Sequence, residues 1–174
     1  IRYLPDGLMG QFLKSHCQVG HTLELEVPFG SFYLRESASE HPLYFIAGGT
    51  GLSAFLAMLD QMRPSDQAIH LYYAVRHELH LCEQERIAAY KEKFPNLLYQ
   101  PVVSRPTNAW QGLQGYVQDH LVPEQLKDNH FNMYVCGPPA LVEALKSHLA
   151  EHQIENCHFY SEKFIAAASQ LDVA

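Results

Sequence analysis

The chain has 174 residues and 19.8 kDa, 47% of them apolar and 18% charged, which suits one ordinary domain with a small attached piece and excludes a disordered chain. Twelve Lys and Arg against nineteen Asp and Glu give a net charge of −7, the wrong sign for a nucleic-acid binder that neutralises phosphates. The longest apolar runs, such as 43–47, fall far short of the ~20 residues of a membrane span, and no N-terminal basic-then-apolar segment reads as an export signal, so neither nucleic acid nor membrane is an expected partner.

Residues 1–35 alternate short apolar runs with turn residues. Ile1–Leu4, Leu23–Val27 and Ser31–Leu34 read as strands, separated by Pro5-Asp6-Gly7 and Pro28-Phe29-Gly30. Met9, Phe12 and Leu13 sit at helical spacing between them, enough for one or two turns. The polar stretch 36–42 is the boundary. From residue 43 strand and helix alternate. Leu43–Ala47 is a continuous apolar run suited to burial on both faces. Leu52, Phe55, Leu56, Leu59 and Met62 then mark an amphipathic helix that Pro64 stops. Ile69–Val75 and Leu97–Val103 are further strands, with a helix near 82–93 between them. Gly115–Leu121 reads as a short helix start and Phe131–Cys136 as a strand. Leu141, Leu145 and Leu149 mark a helix, and Cys157–Tyr160 a closing strand. The expected class is α/β, with a parallel sheet of five or six strands covered by helices on both faces.

The first strand runs into Gly48-Gly49-Thr50-Gly51-Leu52-Ser53-Ala54, and Gly49-x-Gly51-x-x-Ala54 fits the dinucleotide-binding pattern in its required place. Glycines let the backbone approach a diphosphate, and a helix N-terminus offers free N–H groups and the positive dipole end. The alternative is a tight strand-to-helix turn with no ligand. Such sites usually carry Asp or Glu at the end of the second strand for the ribose hydroxyls. Here that strand ends Ala74-Val75-Arg76-His77 with Glu78 beyond, and Arg76 is either a 2′-phosphate contact or a solvated loop charge. Tyr134-Val135-Cys136-Gly137-Pro138-Pro139 puts a cysteine at the carboxyl end of a buried strand, where open α/β sheets bind ligands; it reads equally as a small buried residue before a capped helix. The four cysteines (Cys17, Cys82, Cys136, Cys157) include no C-x-x-C pair, so no metal site is expected and a reducing, cytoplasmic compartment is the simplest. The chain opens Ile1-Arg2-Tyr3-Leu4 with no initiator Met and reads as a fragment of something longer.

Four segments in order resemble the ferredoxin–NADP⁺ reductase superfamily: Pro28-Phe29-Gly30-Ser31-Phe32-Tyr33-Leu34-Arg35, Ala47-Gly48-Gly49-Thr50-Gly51-Leu52, Tyr134–Pro139 and Ser161-Glu162-Lys163-Phe164. More narrowly they are similar to the reductase components of bacterial aromatic-ring dioxygenases of the benzoate or anthranilate type. The resemblance implies that residues 1–37 are the C-terminal part of an FAD-binding antiparallel β-barrel, 41–165 an NADH-binding domain and 166–174 a tail. It implies that NADH passes a hydride to FAD, and that electrons go on to a [2Fe–2S] centre in an N-terminal domain missing here and to a terminal oxygenase or ferredoxin-type acceptor. Gly48, Gly49, Thr50 and Gly51 would hold the NADH diphosphate. Cys136, Gly137 and Pro138 would line the nicotinamide, with Glu162 and Phe164 facing flavin and nicotinamide. Gly7, Met9 and Gly10 match the flavin-diphosphate segment, with Gly10 where the family normally has Ser, and Phe32 would pack beside the flavin. Ser104, Arg105 and Tyr116 occupy the stretch where NADP-specific relatives grip the 2′-phosphate, but Gln114 replaces a cation there, which favours NADH. The rival readings are an NADPH-dependent ferredoxin or free-flavin reductase, and a non-catalytic nucleotide-binding fragment.

Overall fold

The computed structural model describes residues 7–26, 30–36, 38 and 41–164, and divides the chain into two compact units, residues 1–32 with 165–174 and residues 33–164. In the first unit α1 spans Leu8–His16, longer than the turn or two that the spacing suggests. The strand expected at Ile1–Leu4 and the tail lie outside the described residues. The described parts of the other two expected strands, 23–26 and 31–34, carry no strand. Apolar alternation alone does not make one: a strand's N–H and C=O groups need a continuous ladder, and no ladder runs to these stretches among the described residues.

The second unit is a six-stranded sheet with every pairing parallel. Its strands are β1 Leu43–Gly48, β2 Ile69–Val75, β3 Leu97–Val103, β4 Leu113–Gln114, β5 Phe131–Gly137 and β6 Cys157–Lys163, in the order β4-β3-β2-β1-β5-β6. Every residue of β1 and β5 is buried, Asn132 of β5 included, as befits strands at the centre of a doubly covered sheet. α2 (Leu52–Gln61) and α3 (Gln84–Lys93) cover one face. Phe45 of β1 stacks on Phe55 of α2 at 5.0 Å, and the Tyr90 hydroxyl of α3 donates to the Leu56 carbonyl of α2 at 3.1 Å. On the other face Ile46, Met133 and Val135 pack with Val142, Leu145 and Leu149 of α5 (Pro139–Glu151) and Leu126 of α4 (Pro123–Lys127). α2 ends three residues before Pro64, within reach of the restriction that proline places on the residues preceding it.

Three details differ from the pattern reading. Gly115–Leu121 is not the start of an α-helix: Val117–His120 forms a 3₁₀ turn, and α4 begins only where Pro123 supplies a preset first helical position. The two residues of β4 extend the sheet beyond β3. β6 continues past Tyr160 to Lys163, and this carries Glu162 into the sheet beside β5.

Candidate functional site

The chain lays down β1, β2, β3 and β4 in one direction, then returns to place β5 on the other side of β1. The sheet therefore has its topological switch point between β1 and β5, and ligands of open α/β sheets bind in the crevice outside the carboxyl ends of such strands. Residues 48–51 leave β1 there, and Cys136, Gly137 and Pro138 leave β5. The two turns touch backbone to backbone. A Cβ on Gly48 would lie 2.7 Å from Pro138 Cδ, one on Gly137 2.9 Å from Gly48 Cα, and one on Gly51 2.0 Å from the Cys136 carbonyl oxygen. Gly49 differs: its φ is +58°, and nothing lies within 4 Å of where its Cβ would stand. Gly48, Gly51 and Gly137 thus close the wall of the crevice, while Gly49 and the exposed Thr50 present open backbone at its mouth. Ser53 Oγ donates to the Thr50 carbonyl at 3.0 Å and fixes the entry into α2. This arrangement fits a diphosphate: backbone N–H groups at a helix start, with no side chain in the way.

Cys136 is 1% exposed, and burial, reinforced by the nearby Glu162 carboxylate, pushes its thiol up to about 12. At neutral pH it is an uncharged, compact wall and not a nucleophile. Glu162 pairs with Cys136 in register across β5 and β6, and Gly137 pairs with Lys163. Beyond them the Phe164 amide donates to the Gly137 carbonyl at 2.9 Å, which pins the end of β6 to the crevice while the Phe164 ring remains 44% exposed. Lys163 turns away to Glu143, 2.7 Å from Nζ. The structure thus brings together Gly48–Gly51, Cys136–Pro138, Glu162 and Phe164.

Arg76, Ser104, Arg105 and Tyr116 form a second group at the carboxyl ends of β2, β3 and β4. The amides of Ser104 and Arg105 donate to the carbonyls of Val75 and Arg76 at 3.0 and 2.8 Å, so the two strand ends continue as one ladder. Tyr116 is 63% exposed and opens the 3₁₀ turn, its amide donating to Asp119 Oδ2 at 2.9 Å. Glu78, the first carboxylate after β2, accepts from the Thr107 hydroxyl and, at 3.1 Å, from the Thr107 amide, and so ties down loop 104–107, a role with no signal in the sequence. That hydroxyl above all holds the Glu78 carboxyl below its ordinary value near 4.5. A lowered carboxyl pKa gives a contribution present above 4.5 and lost as pH falls through the lowered value. Replacing Glu78 with Gln is expected to lower the hydrogen-exchange protection factor of the Thr107 amide at pH 7, the same direction in which acidification moves that factor in the unaltered chain. Unchanged exchange in that variant would show that the loop holds itself.

Gly7, Met9, Gly10 and Phe32 lie in the first unit. Gly7 is the N-terminal flanking residue of α1, its carbonyl accepting from the Gln11 amide at 2.9 Å, with Met9 and Gly10 in the first turn. Among the described residues no group of three or more His, Cys, Asp or Glu is placed to hold a metal, and no helix is long and apolar enough to cross a membrane.

Residues 45–147 match the family described as the oxidoreductase NAD-binding domain. The chain is 52% identical over 167 residues to the anthranilate 1,2-dioxygenase electron transfer component of Acinetobacter baylyi, covering 95% of this chain and 48% of that protein. It is 40% identical over 170 residues to the toluate 1,2-dioxygenase electron transfer component of Pseudomonas putida, covering 97% and 50%. The chain therefore spans about half the length of these curated relatives. Among solved structures, a ferredoxin reductase in carbazole 1,9a-dioxygenase superposes with a TM-score of 0.73 at 24% identity, covering 93% of this chain and 49% of that one, so the two share a fold.

Proposed function

Because the chain belongs to the oxidoreductase NAD-binding domain family, we propose that it is the NADH-binding part of a flavoprotein reductase, passing a hydride from NADH to FAD for onward transfer to a [2Fe–2S] centre and an aromatic-ring dioxygenase. Residues 41–165 are the NADH-binding domain on this reading. Residues 1–37 are the end of an FAD-binding barrel, with Gly7, Met9, Gly10 and Phe32 toward the flavin, and 166–174 are a tail. The observation that carries it is the switch-point crevice, where open backbone at Gly49 stands at the end of β1 and a neutral, buried Cys136 beside Glu162 at the ends of β5 and β6. The electron transfer components of two dioxygenases among the relatives support the same partner class: a terminal oxygenase or a ferredoxin-type acceptor.

Gly49 and Thr50 would hold the coenzyme diphosphate, and Tyr116 with Ser104 its adenosine end. The nicotinamide supplies two electrons together and the flavin divides them for one-electron acceptors; the protein contributes position and field. Cys136 with Gly137 and Pro138 would exclude water from one side of the reacting ring. Glu162 would place negative charge beside the nicotinamide, favouring the positive charge of its oxidised form, and Phe164 would shield the two rings from solvent. Gln114 in place of a cation leaves a 2′-phosphate only Arg76 and Arg105 to pair with, and NADH is the coenzyme on that ground.

The test is anaerobic: the purified chain with FAD and NADH, flavin absorbance followed against a protein-free control. Bleaching faster than the control is expected, slowed at least ~10-fold by Glu162→Gln, with NADH bound more tightly than NADPH. NADH binding without acceleration would place the flavin pocket outside this chain. Absence of NADH binding would favour a non-catalytic domain. Equal NADPH affinity, lost selectively in Arg105→Ala, would establish the NADPH reading.

A further inference from the structure

A cavity of about 160 Å³ lies on the sheet face covered by α4 and α5, floored by Tyr44 of β1, His70 and Tyr72 of β2, and Leu98 and Gln100 of β3, and walled by His120 with the residues that follow it. Tyr44 pairs in register with His70, His70 with Leu98, and Tyr72 with Gln100, so these side chains share one face. Tyr44 stands near the start of β1, away from the carboxyl ends that form the crevice.

Two polar side chains around this cavity are engaged. The Tyr72 hydroxyl donates to the His120 carbonyl at 3.5 Å, and His120 Nε2 lies 2.6 Å from the Gln114 carbonyl. Gln100 Oε1, by contrast, is buried with no hydrogen-bond partner among the described residues, and Tyr44 and His70 are unpaired as well. Tyr44 is 8% exposed and lies face to face with His70, ring centres 4.5 Å apart and planes 3° from parallel. Neither the Tyr44 hydroxyl nor the His70 imidazole has a hydrogen-bond partner among the described residues, and neither is sealed from a water-sized visitor. Tyr44 lines the cavity, and its hydroxyl, open to a water-sized visitor, can bond an occupant that fits the space.

The lining selects the occupant's charge. No Lys, Arg, Asp or Glu lines the cavity, and burial lowers the His70 pKa, so the imidazole is neutral at pH 8. An ion entering would lose hydration with no opposite charge to meet it. The flat Tyr44–His70 stack offers a ring-sized surface, and a cavity of ~150 Å³ accommodates one benzene ring.

We propose that this cavity binds a small neutral aromatic ring carrying one hydroxyl, a molecule of the phenol class. Its ring lies along the Tyr44–His70 stack, and its hydroxyl exchanges hydrogen bonds with Tyr44 Oη and an imidazole nitrogen. The site is independent of the coenzyme crevice and stands whether or not the proposed reductase reading does.

The experiment titrates the full chain with phenol at pH 8, following the histidine ring protons by NMR, with benzoate as the anionic ring of similar size. A Kd of about 1 mM is expected for so small a ligand, with shifts at His70 and His120. Tyr44→Phe keeps the ring and is expected to weaken phenol five- to tenfold while leaving the melting temperature within a few degrees; benzoate is expected to bind at least tenfold more weakly than phenol. Should Tyr44→Phe misfold, His70→Phe preserves the stack and is expected to show the same loss. No binding by about 10 mM, meaning that the cavity takes water only, would overturn the proposal. So would phenol affinity indifferent to both variants, or benzoate binding as tightly as phenol.

Discussion

Replacing Gly51 with Ala is expected to destabilise the second unit by about 3–5 kcal/mol, the class of effect reserved for unrelievable core clashes. Its φ of −59° and ψ of −18° are helical, so the backbone conformation itself suits alanine. The obstacle is the Cys136 carbonyl, with its oxygen 2.0 Å and its carbon 2.6 Å from the new methyl group. Both atoms belong to the backbone of a central strand and cannot rotate aside. Gly49→Ala is the contrasting case. It meets nothing within 4 Å and carries only the left-handed strain of φ +58°, about 1–2 kcal/mol, while placing a methyl group where a diphosphate would rest. Urea unfolding and NAD⁺ titration of both variants separate the roles: Gly51→Ala loses stability first, and Gly49→Ala loses affinity out of proportion to stability. Equal destabilisation would mean that the β1 and β5 turns are not held against each other.

Alkaline pH is expected to unfold the chain earlier than its carboxylates and lysines alone predict. Burial pushes the thiols of Cys136 and Cys157 from 9.0 up to about 12. The folded state keeps both protonated while the unfolded state releases their protons above pH 9, so the stability they confer is complete below 9 and falls as pH rises toward 12. At pH 10.5 each thiol costs about 2 kcal/mol, together a large part of a typical folding free energy. Tyr44, Tyr72 and Tyr134, whose hydroxyls burial also shifts upward, add to the loss above pH 10. The check is the urea midpoint between pH 8 and 10.5, compared with Cys136→Ala/Cys157→Ala. The double variant is expected to start less stable and to lose less; an unchanged pH slope would show that the thiols are not the cause.

Much of the second unit was legible because its central strands are buried on both faces. Ile69–Val75 and Leu97–Val103 read as largely apolar runs, interrupted by His70 in the first and by Gln100 and Pro101 in the second, and form strands over those residues. What escaped the pattern was polar, short or long-range. β4 is too brief to have a period, and β6 runs on through Ser161, Glu162 and Lys163, held by its ladder to β5 and not by apolar character. The described stretches 23–26 and 31–34 show the converse, alternation that forms no strand. The site was visible as glycine spacing, but the division of labour among those glycines was not. No spacing signals that Gly51 faces a carbonyl and Gly49 faces space, or that the Arg35 amide donates to the Tyr134 hydroxyl at 3.1 Å, ninety-nine residues away.

The switch point also orders events in time. β1 meets Ile69 of β2 soon after it is made, but meets Asn132 of β5 only after three further strands and their connections. Closing that long loop carries the larger entropy cost, so β1, β2 and β3 are expected to pair before β5 docks. Such a half-sheet has one lip of the crevice and lacks Cys136 and Gly137, against which Gly51 and Gly48 rest. A nucleotide gripped by both lips has no purchase on the nascent intermediate. It acts instead as a latch on the finished molecule, slowing its unfolding without hastening its birth. A cell rich in that nucleotide would then lengthen the life of each completed chain while leaving the yield of new ones unchanged.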